Sequence, residues 1–290
     1  MKTHRILFML VCIITMIIQS CSSNDTLDNS MDDIRLTVKA DDATFYRNLI
    51  NPDSTGIPIP DDMYIYPMTP LDDQYASIVE EKGWDYIDQM NMIEKSVLEG
   101  MSSYALVRSA LNYPGAASRL LDNYTDVSKL YQELGNKVTA FQELKTREDA
   151  VESLIEYYVC INDKYNISRA IYTYQMFHFM LSQQEIIQKM TDSDTKTLLE
   201  TASLESFIGG AHHQIPLATS RVMESIILIG KVLIHNDYAP FVSYLNETPK
   251  LKDAINTLKY DNVGLDELVE YMMDCRGYVD TFLESMATNE

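Results

Sequence analysis

The chain has 290 residues, of which 46% are hydrophobic, and its formal net charge is −20 at pH 7. So acidic a protein repels nucleic acid and anionic lipid headgroups, which excludes nucleic-acid binding as its function. The hydrophobic content is that of a globular protein, and the stretch 71–290 is long enough for one domain with a large buried core.

The first twenty residues have the pattern of a secretory signal peptide. Lys2 and Arg5 precede an apolar run from Ile6 to Ile18, and a serine stands directly before Cys21. A basic start, a short hydrophobic run and a small residue before the cleavage point are typical of such signals, and the run is too short for a good membrane span. We therefore predict that residues 1–20 are removed on export.

The sequence Ile18-Gln19-Ser20-Cys21 resembles the lipobox of bacterial lipoproteins, in which the cysteine is acylated and becomes the first residue of the mature protein. Ser22 and the polar and acidic residues after it resemble the start of exported lipoproteins of Bacteroidetes. The resemblance implies a lipid on Cys21 and an outer-membrane location that includes the cell surface, and it implies nothing about the rest of the chain. An ordinary signal peptide cut nearby, or an uncleaved anchor, stays open as the alternative.

Residues 21–70 have the composition of an acidic tether. They contain three pairs of adjacent aspartates, and they contain prolines, which forbid a continuous helix and favour extended backbone, at Pro52, Pro58, Pro60, Pro67 and Pro70. The end of this stretch, Met63–Met68, is apolar enough to dock against a domain. We predict an extended N-terminal tether that ends at residue 70.

From residue 71 onward the hydrophobic pattern is that of amphipathic helices. Apolar residues recur at intervals of three and four, the spacing that places them on one face of a helix. One such set runs from Tyr86 to Leu111. Pro216–His235 is apolar nearly all round, so we predict that it is the central, most buried helix. The last set comprises Leu265, Leu268, Val269, Met272, Cys275, Val279, Phe282 and Met286.

No strand pattern of comparable length occurs after Pro70. We therefore predict that residues 71–290 form a single all-α domain, a multi-helix bundle of about eight or nine helices arranged as antiparallel helical hairpins. A repeat array is not predicted, because no segment recurs at a fixed period.

Two successive predicted helices carry a concentration of tyrosines, at Tyr157, Tyr158, Tyr165, Tyr172 and Tyr174. Tyrosine combines a flat apolar face with a polar tip, so such a set can line a groove that binds a glycan or a peptide. At helical spacing the same side chains also pack in the core between helices. The sequence leaves both interpretations open.

His212 and His213 are the candidates for a metal site, since two histidines in a helix-breaking loop can ligate a transition metal together with Glu205 or His178. Adjacent loop residues rarely reach the same ion, so a polar loop covering neighbouring helices is the alternative. His178 lies between two phenylalanines and is expected to be a buried, hydrogen-bonded helix residue rather than a ligand. No cofactor is predicted.

The chain lacks the motifs of serine hydrolases, zinc proteases, P-loop enzymes and dinucleotide-binding enzymes, and it lacks the Glu-x-x-His of di-iron bundles. We therefore expect that the protein is not an enzyme. Cys160 and Cys275 remain once the signal is removed and Cys21 is acylated. They can pair in an exported protein, and buried free thiols are the interpretation that we prefer.

These features predict a membrane-anchored lipoprotein of the cell envelope with a non-catalytic binding or accessory role in an outer-membrane or surface complex. The lipid on Cys21 would attach it to the membrane, and an envelope protein or a glycan would be its partner. The alternative is a receptor that captures a soluble glycan or peptide in a groove lined by the five tyrosines. A metal-dependent enzyme centred on His212 and His213 is a third option.

Overall fold

The computed structural model describes residues 57–69, 72–116, 119, 127–161, 167–209 and 215–288. The predicted signal peptide, Cys21 and the tether up to residue 56 lie outside these residues. The described part contains helices and no strand, which confirms the all-α class. Within it, no helix combines the length and the apolar character that crossing a bilayer requires.

The described residues form fourteen helices, more than the sequence predicted, because several long apolar runs are interrupted. In chain order they are α1 Tyr75–Lys82, α2 Trp84–Met90, α3 Lys95–Gly100, α4 Ser103–Leu111, α5 Val127–Lys137, α6 Thr139–Leu144, α7 Ala150–Val159, α8 Ile167–Leu181, α9 Gln184–Ile187, α10 Asp192–Gly209, α11 Ile215–His235, α12 Ala239–Glu247, α13 Pro249–Thr257 and α14 Leu265–Ala287.

The apolar run that begins at Tyr86 shows how these interruptions arise. It forms α2, α3 and α4 instead of one helix, since the backbone is extended at Glu94 and again at Met101. The Ser102 hydroxyl then accepts a hydrogen bond from the backbone N–H of Ala105 at 3.2 Å and caps α4. Serine at this position accepts a hydrogen bond from a backbone N–H group that has no partner within the first turn, and it thereby favours the start of a new helix. Tyr86 itself is exposed.

Residues 57–69, here called the docked segment, lie against α4. The backbone N–H of Tyr64 donates to Ser109 Oγ at 3.0 Å, and the Tyr66 hydroxyl donates to the Ser109 carbonyl oxygen at 2.9 Å. Ile57 and Tyr66 are buried in the same core as the helices. The docking predicted for the apolar end of the tether is therefore present, and these residues belong to the folded part of the chain.

α11 is the centre of one group of helices. It packs against α8, α10, α12, α13 and α14, and every residue from Arg221 to Gly230 is buried. The prediction that this is the central helix is confirmed. Gly230 allows the close approach of α13, because a Cβ at that position would lie 2.5 Å from Ile255 Cδ1.

A second group is built on α4 and α6, which pack against each other. α3 and α5 pack against α6, and α7 packs against α4 and also against α8 and α10. Phe179 on α8 joins the groups, since its ring centroid lies 5.0 Å from that of Tyr131 and 5.1 Å from that of Phe141. All three side chains are buried, so the two groups share one core.

Asp88 on α2 gathers several donors at the edge of the second group. Arg119 Nη2 donates to both Asp88 carboxylate oxygens, at 2.9 and 2.8 Å, and Lys137 Nζ lies 2.7 Å from Oδ2. The Tyr113 hydroxyl donates to the same carboxylate, and the Arg119 guanidinium lies 5.1 Å from the ring centre of Trp84. These contacts fix α2 to α5 and to the residues after α4.

α14 buries one face and exposes the next. The buried face contains Leu268, Met272, Cys275, Val279 and Phe282, as predicted. Leu265 and Val269, predicted on that face, are exposed, and so is Met273. At 100° per residue these three positions lie 60° or more around the helix from the middle of the buried face, so they are turned toward solvent.

Candidate functional site: a buried polar cluster around His178

A group of buried polar side chains surrounds His178 on α8. This side chain is fully buried. Its Nε2 atom lies 3.0 Å from the Tyr158 hydroxyl of α7 and 3.3 Å from Ser225 Oγ of α11. The expectation of a buried, hydrogen-bonded His178 is confirmed, and the imidazole ties three helices together.

Glu224 provides the acidic side of the cluster and is also buried. Its Oε1 atom accepts a hydrogen bond from Gln175 Nε2 at 3.0 Å and lies 3.5 Å from the Tyr260 hydroxyl. Its Oε2 atom lies 3.9 Å from His178 Nδ1, which is too far for a hydrogen bond. The carboxylate thus connects α8 and α11 to the segment that precedes α14.

Arg221 lies one helical turn before Glu224 and provides the positive charge. Its guanidinium carbon is 4.0 Å from the ring centre of Tyr174, within the range of a cation–π contact. Tyr174 in turn packs edge-on against Tyr158, with 5.8 Å between ring centroids. The charged and aromatic side chains therefore form one continuous layer between α7, α8 and α11.

Burial keeps the imidazole neutral. Loss of water around His178, and secondarily the positive charge of Arg221, lower the pKa of its side chain from 6.5 to about 3. Burial also raises the pKa of Tyr158 well above its usual value. At neutral pH the cluster holds a neutral imidazole and a protonated phenol.

The cluster contains the residue types of a nucleophile–base–acid triad in Ser225, His178 and Glu224, but not its geometry. The separation of 3.9 Å between the imidazole and the carboxylate does not orient the ring for proton transfer. All three side chains are fully buried or nearly so. The arrangement is that of a structural polar network, which specifies how the helices pack.

No family model, curated protein or solved structure matches the chain.

The predicted tyrosine groove includes part of this layer. Tyr157, Tyr158 and Tyr174 are only 4%, 1% and 2% exposed, so their rings pack between helices and do not face a solvent groove. For these three the structure favours the core interpretation, because helical spacing turned them inward. Tyr165 and the side chain of Tyr172 lie outside the described residues.

The predicted metal ligands are not brought together in the part of the chain that the structure describes. His212 and His213 lie outside it, and within it no three His, Cys, Asp or Glu side chains are grouped to hold a metal ion. Cys160 is exposed and Cys275 is buried, and both are free thiols. Buried free thiols were expected for both, and Cys160 departs from this since it follows the last turn of α7.

Most residues of the cluster around His178 are not recognisable from the sequence. In the sequence, Arg221 and Glu224 are charges within an otherwise apolar helix, and their spacing of three residues places them on one face. Gln175 and Ser225 carry no such signal, because their partners within the cluster are more than forty residues away along the chain.

Proposed function

We propose that this protein is a lipid-anchored lipoprotein of the bacterial envelope with a non-catalytic binding or accessory role in an outer-membrane or surface complex. The anchor is the lipid on Cys21, and the helical domain binds the partner. The resemblance of residues 18–21 to a lipobox supports the anchor. An exposed apolar stripe on α14 supports a partner protein, and this observation carries the proposal.

The stripe consists of Leu265, Val269 and Met273, spaced four residues apart along one line of the helix. These side chains are 58%, 37% and 39% exposed. Single exposed apolar residues are common on protein surfaces, whereas a contiguous row of large ones is typical of an interaction site. The row lies beside the buried face, so a second helix placed on it would extend the packing that α14 already makes.

The charge around the stripe favours a basic partner. Asp266 and Glu270 are exposed on the outer side of the row, and the chain as a whole carries a net charge of −20. Two copies of so acidic a surface repel each other, whereas a segment with apolar residues flanked by lysine or arginine complements it. The partner that fits is therefore an amphipathic, basic helix of another envelope protein.

Replacement of Val269 by Asp tests the stripe. The full chain is purified from mild-detergent extracts of its own membrane. We expect the amount of co-purified partner per chain to fall by about tenfold or more in the variant, because a charge placed in an apolar contact costs at least about 1.4 kcal/mol. The amount of partner per chain is measured by quantitative mass spectrometry, and circular dichroism verifies the fold.

Val242→Asp is the matched control. Val242 is 40% exposed and lies near the start of α12, as Val269 lies near the start of α14. The control should retain the partner. A wild-type chain that purifies without any stoichiometric companion, or equal losses in the two variants, would contradict the proposed surface.

Replacement of Cys21 by Ser tests the anchor separately. We expect the variant to leave the membrane fraction, since the lipid supplies the hydrophobic attachment and a single uncharged hydroxyl does not. Cell fractionation followed by mass spectrometry of the N-terminal peptide measures both the location and the acyl group. An unmodified Cys21 in membrane-bound wild-type protein would reject the lipoprotein assignment and leave the α14 stripe untouched.

A further inference from the structure

Arg108 on α4 is a buried guanidinium for which the structure provides no ion pair among the described residues. Only 2% of the residue is exposed. Arg119, another deeply buried arginine of the same group of helices, does have an acidic partner, because it donates to both oxygens of Asp88. A buried charge without an opposite charge is strongly unfavourable, so the exception calls for a compensating group.

The open donors of Arg108 lie on one edge of its guanidinium. Its Nε and Nη2 atoms are both buried, and neither has a hydrogen-bond partner in the part of the chain that the structure describes. The N–H groups of these two atoms point in parallel, and this fork matches the spacing of two oxygens of a carboxylate or a phosphate. The open edge is thus suited to one bidentate anion.

The acidic side chains that contact the start of α4 form hydrogen bonds with residues other than Arg108. Asp62 of the docked segment accepts from the backbone N–H of Ser102 at 2.6 Å. Asp149 accepts from the Ser103 hydroxyl, and Glu156 accepts from the Tyr104 hydroxyl. None of these contacts reaches the open edge of the guanidinium.

Tyr157 is the neighbour that interacts with the Arg108 charge. It lies on α7, which packs against α4, and it is 4% exposed. Burial is the main reason that the pKa of Tyr157 is raised, so its phenol stays protonated and does not neutralise the arginine. Burial lowers the pKa of Arg108, but a guanidinium that starts from 12.5 remains charged at neutral pH.

We propose that Arg108 is the anchor of an anion-binding site between α4 and α7, in which its Nε–Nη2 edge holds two oxygens of a small carboxylate or phosphate ligand. The site is distinct from the α14 stripe, and neither proposal depends on the other. Because the anion enters a region of low dielectric constant, it replaces an unfavourable lone charge by a charge-assisted pair.

Thermal unfolding and titration calorimetry of the full chain in detergent test this site, with sodium phosphate, sodium acetate and sodium chloride at equal ionic strength as probes. We expect phosphate or acetate to raise the Tm of the wild type above its value in chloride, as a ligand of the folded state does. The more effective probe identifies the ligand chemistry. Arg108→Met should raise the dissociation constant for that probe by about tenfold or more.

Two further variants separate the fork from general electrostatics. Arg108→Lys keeps the positive charge but has no bidentate edge, so it should lose most of the anion-dependent rise in Tm even if Arg108→Met fails to fold. Arg276→Met removes one charge from an exposed position on α14 and should respond as the wild type does. A wild type that phosphate and acetate affect no more than chloride, or an Arg108→Lys variant with an undiminished response, would overturn the proposal.

Discussion

The free energy of unfolding should fall as the pH is lowered from 6.5 toward 3, and His178 should account for about 1.4 kcal/mol of that fall per pH unit. In the folded chain the pKa of this side chain is about 3, whereas in the unfolded chain it returns to about 6.5. Between these values the unfolded state binds a proton that the folded state does not. The free energy of unfolding is therefore at its full value above pH 6.5, and it decreases as the pH falls from 6.5 toward 3.

His178→Gln isolates this contribution, because the amide retains a group that can hydrogen-bond to Tyr158 and has no proton to gain in this range. Urea unfolding of the full chain in detergent at several pH values should give a shallower pH dependence for the variant than for the wild type. Ser225→Ala, which removes a neighbour of the same nitrogen atom and keeps the imidazole, should retain the wild-type slope. Parallel curves for wild type and His178→Gln would show that the imidazole is not held neutral by burial.

Replacement of Asp88 by Ala should destabilise the fold by about 3 kcal/mol, since it removes the carboxylate to which the buried guanidinium of Arg119 donates two hydrogen bonds. The carboxylate of Glu133, 3.6 Å from Arg119 Nε, remains and holds the loss at the lower end for a broken buried ion pair. The same substitution removes the acceptor of the Tyr113 hydroxyl and of the Lys137 ammonium group. The midpoint of urea unfolding, followed by circular dichroism, measures the loss. A larger effect than that of a typical surface substitution is expected because three donors depend on one carboxylate.

Asp85 provides the control for this prediction. It lies on the same helix and pairs with Lys137 at 3.0 Å, but its side chain is exposed. Exposed ion pairs contribute little to stability, so Asp85→Ala should leave the unfolding midpoint almost unchanged. Equal effects of the two substitutions would mean that the Asp88 carboxylate is not the centre of this cluster.

The parts of the fold that depend on local patterns were predictable. Pro216–His235 was recognised as the central helix because apolar residues cover nearly all of its sides, and this property does not depend on what the helix packs against. The pair Thr248-Pro249 has the pattern of a helix start, and α13 begins at Pro249. Proline is favoured at a first helical position for reasons that lie within the chain segment itself.

The parts that depend on distant contacts were not predictable. Leu265 and Val269 share the spacing of the buried residues on α14, and hydrophobic spacing cannot tell a face that the domain buries from one left open to a partner. The His178 cluster joins side chains that are 20 and 47 residues apart, a pairing that no local pattern contains. The same holds for Arg108, whose open edge is apparent only when its surroundings are known.

The docked segment limits how far the domain can travel from a membrane. Ile57 is buried in the core, so if Cys21 carries the proposed lipid, the connection between bilayer and domain contains at most the residues 21–56. Whatever their conformation, these residues span no more than roughly 3.3–3.6 Å each, so this part of the tether is no longer than about 120–130 Å. Any partner of the α14 stripe must present its own binding segment within that length, plus the distance across the domain from Ile57 to α14, of the anchor point.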